Sequence, residues 1–281
     1  MNLFKRRTRN GDQQEMSFIE HLDVLRGHLF KSALAVAIGA IVMAVYNKFI
    51  VQRILMGPTH ADFWTYRTLC RLSQKWGLGN KLCMEEIHLK MQSNAVSGQF
   101  DTYFNIILIG GFIVAFPYVF WQFWKFTKPA LKEKELRNTR GVIFWVSLLF
   151  FLGVVFGYFV IAPYTISFFA NFVLDSNIEN IWTIGSYFTT VAQLVLGAGL
   201  AFQLPLVIYF LAKIGVVSAA YLRRIRKYAI LVIVIVTSII TPPDMLSTIV
   251  ASVPLILLYE ISILLCVKVE KKQAKEEAQW D

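Results

Sequence analysis

The segment YFNIILIGGFIVAFPYVFWQFW, residues 103–124, contains no charged side chain. At 1.5 Å per residue, an α-helix of this length is about 33 Å long, which matches the roughly 30 Å hydrocarbon core of a bilayer. A helix also satisfies its backbone polar groups internally, as a segment surrounded by lipid must. This segment therefore predicts a transmembrane helix.

Apolar runs of the same kind recur along the chain. Apolar residues make up 56% and charged residues 16% of the 281 residues, whereas soluble domains carry about 25% charge. We therefore predict an all-α integral membrane protein, one polytopic domain over 1–281 with six transmembrane helices. The other five runs are 29–46, 141–161 (with apolar character continuing to 174), 187–211, 228–240 and 249–267.

The fifth run is unusually short. Its 13 residues would form a helix of about 20 Å, and the prolines of Thr241-Pro242-Pro243-Asp244 follow at once and turn the chain. We expect a hairpin of the last two runs that does not cross a bilayer of full thickness, unless the bilayer thins or a helix tilts.

Positive charge predicts the orientation. Lys and Arg concentrate in 1–31, 125–140, 213–227 and 268–275, whereas 162–186 contains none. The positive-inside rule then places both termini in the cytoplasm. This gives a cytoplasmic N-terminus over 1–28, a long periplasmic loop over 48–100 and a cytoplasmic tail over 268–281.

Several function classes are unsupported. The net charge of +10 flanks the apolar runs, as topology requires, so we predict no nucleic-acid partner. Walker A, H-E-x-x-H and G-x-S-x-G motifs are absent, and we predict no enzyme, no cofactor and no metal. The principal alternative is a secondary transporter of a small solute, which would require internal repeats and midplane ion-binding residues.

Acidic residues stand among the predicted cytoplasmic positive charges. Leu22, Leu25 and Leu29 recur at helical spacing, which predicts an amphipathic helix along the membrane surface. Its polar face carries Glu20, Asp23 and Arg26.

The loop after the second span carries Glu133 and Glu135. Carboxylates there can bind a cationic ligand such as arginine, or they can pair locally with Lys132, Lys134 and Arg137.

Polar groups inside the spans are few. Glu260 lies within the last run, where a carboxylate marks either a packing residue that is paired or neutral, or a group that contacts a partner. Gln203 lies in the fourth run and can hydrogen-bond between helices or to a guest helix. In the long first loop, Cys70 and Cys83 are either joined in a disulfide or reduced and packed.

The order of several motifs resembles the TatC family over nearly the whole chain. No single motif is decisive, but the ordered set is highly specific. The motifs are His21-Leu22-x-x-Leu25-Arg26, Phe123-Trp124-x-Phe126-x-x-Pro129-Ala130-Leu131-x-x-x-Glu135, Phe202-Gln203-Leu204-Pro205, Arg226-Lys227-Tyr228, Thr241-Pro242-Pro243-Asp244 and Tyr259-Glu260.

This resemblance implies a receptor, in a bacterial inner membrane, for the twin-arginine signal peptides of folded cargo proteins. It also implies that export of the cargo draws on the proton motive force. It implies a cup-shaped fold with short fifth and sixth helices. The implied partners are TatA and TatB single-span proteins, other TatC copies and membrane lipid. The residues that it implies for signal binding are Glu135, Asp23, Glu20, Arg26 and Phe126. Those that it implies for docking of the partners are Asp244 and Thr248.

The chain departs from the family pattern at three positions. Val24 stands where the family usually has a glutamate, so Asp23 or Glu20 takes over that role or Glu135 carries more of it. Gln203 replaces an intramembrane glutamate, keeping the hydrogen bonding and losing the charge. Thr248 stands where glutamine is frequent.

Overall fold

A computed structural model describes residues 18–60, 62–75, 77, 90–127, 141–175, 180–241 and 245–277, without the side chains of 18–21, 246 and 276–277. Ten helices carry labels here: α1 (Phe18–Val45), α2 (Trp64–Lys75), α3 (Gly98–Thr127), α4 (Val142–Phe156), α5 (Ala162–Asn171), α6 (Ile184–Ala201), α7 (Leu204–Lys213), α8 (Ala219–Arg224), α9 (Arg226–Ile240) and α10 (Met245–Glu277). Two short strands, β1 (Lys90–Gln92) and β2 (Ile181–Thr183), pair in parallel.

Five helical stretches within the described residues are long and apolar enough to cross a membrane: Leu22–Val45, Gly98–Thr127, Val142–Asn171, Ile184–Lys213 and Ser247–Lys275. Two of them join two helices each. A π-helical turn, Gly157–Ile161, connects α4 to α5. Two residues, Phe202 and Gln203, separate α6 from α7, where Pro205 occupies the first turn.

Helix α9 is the short element that the sequence predicts. It contains 15 residues, or about 22 Å of helix, and is not among the five long stretches. Its buried residues, Ile233 and Thr237, face the rest of the bundle.

The expectation of a short sixth helix is wrong. Helix α10 contains 33 residues and continues well past the predicted run that ends at residue 267. The extension is helical because its Lys, Glu, Gln and Ala residues favour helix and because two of its side chains hold the neighbouring loop. Glu270 accepts a hydrogen bond from the Ala219 N–H at 2.8 Å, and Gln273 donates to the Lys213 carbonyl at 2.9 Å.

The first helix also differs from the expectation. Helix α1 runs from Phe18 to Val45 without a break, so the predicted surface helix and the first span form one element. Leucine spacing at 22, 25 and 29 continues directly into the apolar run, no Pro lies between them, and the helix runs through Gly27 without a break.

Close backbone approach joins α1 to α3. A Cβ atom at Gly111 would lie 2.6 Å from the Ala40 nitrogen, and one at Gly39 would lie 2.5 Å from the Gly111 carbonyl oxygen. Only glycine fits at such a crossing, as in other small-residue contacts between membrane helices.

The bundle core lies between α3, α4 and α6. Phe116 stacks on Phe150 with ring centroids 3.5 Å apart, and Phe150 and Val146 are fully buried. The strand pair was not predicted, because three-residue strands are too short to show a period-two pattern.

We call the end that carries β1, β2 and α2 the sheet end. The opposite end carries the start of α1, the end of α3 and α8, and we call it the basic end.

Candidate functional site

The basic end brings the start of α1 against the end of α3. The His28 ring Nδ1 lies 2.7 Å from Oε1 of Gln122, and Gln122 is only 3% exposed. The His28 ring also meets Phe126 edge to face, with centroids 6.4 Å apart. These contacts fix the first turns of α1 relative to the last turn of α3.

Predicted binding residues lie on both helices at this junction. Asp23 and Arg26 are exposed on α1, less than two turns before His28, and Phe126 is half-buried one turn after Gln122. Glu20 lies in α1, but its side chain is not described, and Glu135 lies outside the described residues, as does Glu133. Asp23 and Arg26 on α1 and Phe126 on α3 therefore all lie within two helical turns of the His28–Gln122 contact.

Sequence reasoning missed the contact that organises this junction. His28 and Gln122 are 94 residues apart, and nothing in either local pattern pairs them. A usable signal was Gln122 itself, a polar side chain within an otherwise apolar run that needs a partner when buried.

Gln203 holds two helices together. Its Nε2 donates to the Val146 carbonyl on α4 at 3.2 Å. Its Oε1 is buried and has no hydrogen-bond partner among the described residues. The neutral amide of Gln203 thus forms a hydrogen bond between two helices and leaves its acceptor oxygen unused.

Glu260 is paired. Arg226, the first residue of α9, binds it through two contacts, Nε to Oε1 at 2.8 Å and Nη2 to Oε2 at 3.0 Å. The two side chains are 48% and 39% exposed, so the pair lies on the surface of the protein. This bidentate geometry is the strong form of an Arg–carboxylate contact.

Hydroxyl groups line the contact between α9 and α10. Thr237 and Ser252 lie 3.0 Å apart, both buried, and the Thr241 and Thr248 hydroxyl oxygens lie 3.3 Å apart. Asp244, the other predicted docking residue, lies outside the described residues. Thr248 thus contributes to a polar seam within the hairpin.

Of the two cysteines in the predicted disulfide, only Cys70 is among the described residues. Cys70 lies on α2 and is disulfide-bonded. Cys83 lies outside the described residues, so the Cys70–Cys83 pairing stays a prediction.

No cluster of three or more His, Cys, Asp or Glu side chains that could hold a metal ion exists within the described part of the chain. The polar groups described above instead join helices or stand exposed beside them. Long apolar helices with this arrangement define a multi-span helical membrane protein.

Comparison with known proteins gives the family. The family model of the Sec-independent protein translocase protein (TatC) matches residues 20–254, and the chain belongs to this family of non-enzymatic protein-export subunits. The TatC protein of Blattabacterium sp. subsp. Periplaneta americana is 40% identical over 263 residues, 93% of this chain and 99% of the relative. TatCy of Bacillus subtilis is 30% identical over 94% of each chain.

Solved structures agree with that assignment. A crystal structure of the twin-arginine translocase receptor TatC in the detergent DDM superposes with a TM-score of 0.69 at 30% identity. It covers 88% of this chain and 99% of that one. The fold is therefore the TatC fold.

Proposed function

We propose that this protein is the receptor that binds twin-arginine signal peptides and the core subunit through which their folded cargo leaves the cytoplasm. The observation that carries the proposal is the junction of α1 and α3 in a chain of this family. The His28–Gln122 contact holds α1 against α3, with Asp23 and Arg26 on α1 and Phe126 on α3 within two turns of it, and Glu135 follows eight residues after the end of α3 in the sequence.

The two arginines of the signal bind the carboxylates at this junction. A guanidinium binds a carboxylate through two parallel hydrogen bonds, and lysine offers no such fork. Glu135 supplies one carboxylate and Asp23 the other, with Glu20 as the neighbouring acid on α1. The apolar part of the signal then inserts along the concave side of a cup-shaped bundle, where Gln203 offers a polar contact.

The topology that goes with this role has six spans. The five long stretches and the short α9 make six. The distribution of Lys and Arg orients both termini toward the cytoplasm, and the membrane is the bacterial inner membrane. Helix α9 and the α9–α10 turn thin the bilayer locally, because about 22 Å of helix faces a core of roughly 30 Å.

Partners complete the transport step. TatA and TatB family single-span proteins dock near Asp244 and Thr248, and other TatC copies join the complex. Transport of folded cargo draws on the proton motive force, and the chain itself makes and breaks no covalent bond.

The test is crosslinking of a twin-arginine signal peptide to the Glu135→Ala variant in native membranes, with Glu133→Ala as the matched control from the same loop. Loss of charge-assisted hydrogen bonds worth about 1.5–3 kcal/mol should lower peptide affinity tenfold or more. The control should bind normally. Normal crosslinking and export by a correctly inserted Glu135→Ala protein would overturn the proposal and favour the solute-transporter alternative.

A further inference from the structure

The segment between α7 and α9 runs along α10, from the C-terminal end of that helix toward its middle. Four contacts hold it there: the first two lie near the C-terminal end of α10, and the last two lie at adjacent residues nearer the middle of that helix. In chain order they join the Lys213 carbonyl to Gln273, the Ala219 N–H to Glu270, the Leu222 carbonyl to the Tyr259 hydroxyl, and Arg226 to Glu260.

This order of contacts gives the depth of the segment. Glu260 and Gln273 are separated by 13 residues of one continuous helix, about 20 Å along its axis. The end of α7 contacts α10 at Gln273, whereas the start of α9 contacts it at Glu260. Measured along the axis of α10, helix α9 therefore begins closer to the middle of the bundle than the point at which α7 ends. We call the segment 219–227 the recessed ledge.

The recessed ledge is strongly cationic. Arg223, Arg224, Arg226 and Lys227 are all exposed, and the sequence has no acidic residue between 211 and 240. Glu260 neutralises Arg226. Within the described part of the chain, neither Arg223 nor Arg224 forms an ion pair.

The surroundings of the ledge are those of a membrane interface. Tyr221 and Tyr228 are 53% and 60% exposed beside the cations, as is typical of aromatic side chains at headgroup depth. The exposed face of α9 continues directly from them with Leu231, Val232 and Ile235, which are each more than half exposed. Cations thus adjoin an apolar surface of the kind that acyl chains cover.

We propose that the recessed ledge binds the phosphate groups of anionic phospholipids, with Arg223 and Arg224 as the principal ligands. Arg223 and Arg224 have no ion-pair partner among the described residues and lie deeper along α10 than the end of α7, so they need a counter-charge. The phosphate of a lipid whose acyl chains lie along α9 reaches them. Guanidinium groups bind phosphate oxygens through paired hydrogen bonds. The bound headgroups hold the leaflet inward at α9, which matches the short length of that helix.

Native mass spectrometry of the purified full-length protein, titrated with phosphatidylglycerol, tests the proposal. Each basic residue near an anionic lipid surface contributes about fivefold in affinity, so R223Q/R224Q should bind phosphatidylglycerol roughly 25-fold more weakly. The R223K/R224K variant keeps the charge and should retain most of the binding, which also controls for folding.

The matched control is K268Q/K271Q, which removes two exposed cations from α10 without touching the ledge. Its affinity should change less than twofold, and zwitterionic phosphatidylcholine should bind the unaltered protein far more weakly than phosphatidylglycerol. Equal losses in both Gln pairs, or equal binding of the two lipids, would overturn the proposal. So would a Gln ledge variant that keeps its lipid but loses a co-purifying protein subunit, since the ledge would then be a protein-docking surface.

Discussion

The two ends of this molecule are held together by different chemistry. At the sheet end, neutral hydroxyls donate to backbone carbonyls: Tyr66 to Pro58 and Pro163, Tyr158 to Ile54, Tyr187 to Leu55 and Thr65 to Phe159. At the basic end, the described contacts draw mainly on ionisable side chains: His28 with Gln122, Glu270 with the Ala219 N–H and Arg226 with Glu260, along with a hydroxyl bond from Tyr259 to the Leu222 carbonyl. Cations such as Arg223 and Arg224 stand exposed there.

The difference separates a structural end from the end to which we assign signal binding. These tyrosine and threonine bonds of the sheet end tie the 46–66 segment to α5, to α6 or to the π-helical turn between α4 and α5, or close that segment on itself. Burial raises the pKa of Tyr66 well above its ordinary value, so this side chain remains a neutral donor at physiological pH. The basic end keeps its charges accessible, as a site for a charged ligand must.

The largest expected effect comes from the sheet end. Tyr66→Phe removes a buried hydroxyl that is shared by the Pro58 and Pro163 carbonyls. Leaving buried acceptors unpaired should lower the free energy of unfolding by about 1–3 kcal/mol. Denaturation of the purified protein in detergent measures this. Tyr221→Phe, at a 53% exposed tyrosine of the basic end, is the control and should change stability by less than about 0.5 kcal/mol.

The His28–Gln122 contact should come next. His28→Ala leaves the buried Oε1 of Gln122 without its partner and should cost about 1–2 kcal/mol of unfolding free energy. The same change should weaken crosslinking of a twin-arginine peptide, because α1 loses its position against α3. His28→Asn keeps a side-chain donor and should restore part of both effects. Unchanged stability and crosslinking in His28→Ala would show that the junction does not depend on this bond.

The Arg226–Glu260 pair should contribute less. Both side chains are about half exposed, and exposed ion pairs are worth roughly 0.2–1 kcal/mol. A double-mutant cycle with Arg226→Gln and Glu260→Gln should give a coupling energy below about 1 kcal/mol that declines in high salt. A coupling of several kcal/mol that ignores salt would place the pair in a dry environment and contradict its surface position.

Gln203→Met should have the smallest effect. The substitution loses the bond to the Val146 carbonyl but also removes the buried Oε1 that has no partner among the described residues. These contributions oppose each other, so the unfolding free energy should change by no more than about 0.5 kcal/mol. Gln122→Met, which breaks a satisfied bond, should be clearly more destabilising. A large loss in Gln203→Met would mean that its Oε1 has a partner.

The sequence predicts the spans because each apolar run carries its own signal, as residues 103–124 do within α3. It does not predict contacts between distant segments, such as His28 with Gln122 or the β1–β2 pair, because neither partner's local pattern refers to the other. The length of α10 was missed for a related reason: Glu270 and Gln273 are held by the loop between α7 and α8.

The candidate site shows the same division. Periodicity placed Asp23 and Arg26 on a helix, and the family pattern marked Phe126, but only the folded chain shows that His28 joins this part of α1 to the end of α3. Glu260 was expected either to pair or to contact a partner, and its pairing with Arg226 follows from the α9–α10 hairpin, which brings residues 34 positions apart together.

Site-specific photocrosslinking tests the central claim most directly. Photoreactive side chains would replace Val24, the exposed neighbour of Asp23 at the basic end, and Trp64, which is 59% exposed at the sheet end, in native membranes. A signal peptide with its two arginines, and the same peptide with two lysines, would serve as ligands. We expect an adduct at position 24 with the arginine peptide alone and none at position 64. Equal adducts with both peptides at position 24, or an arginine-dependent adduct at position 64, would contradict the account.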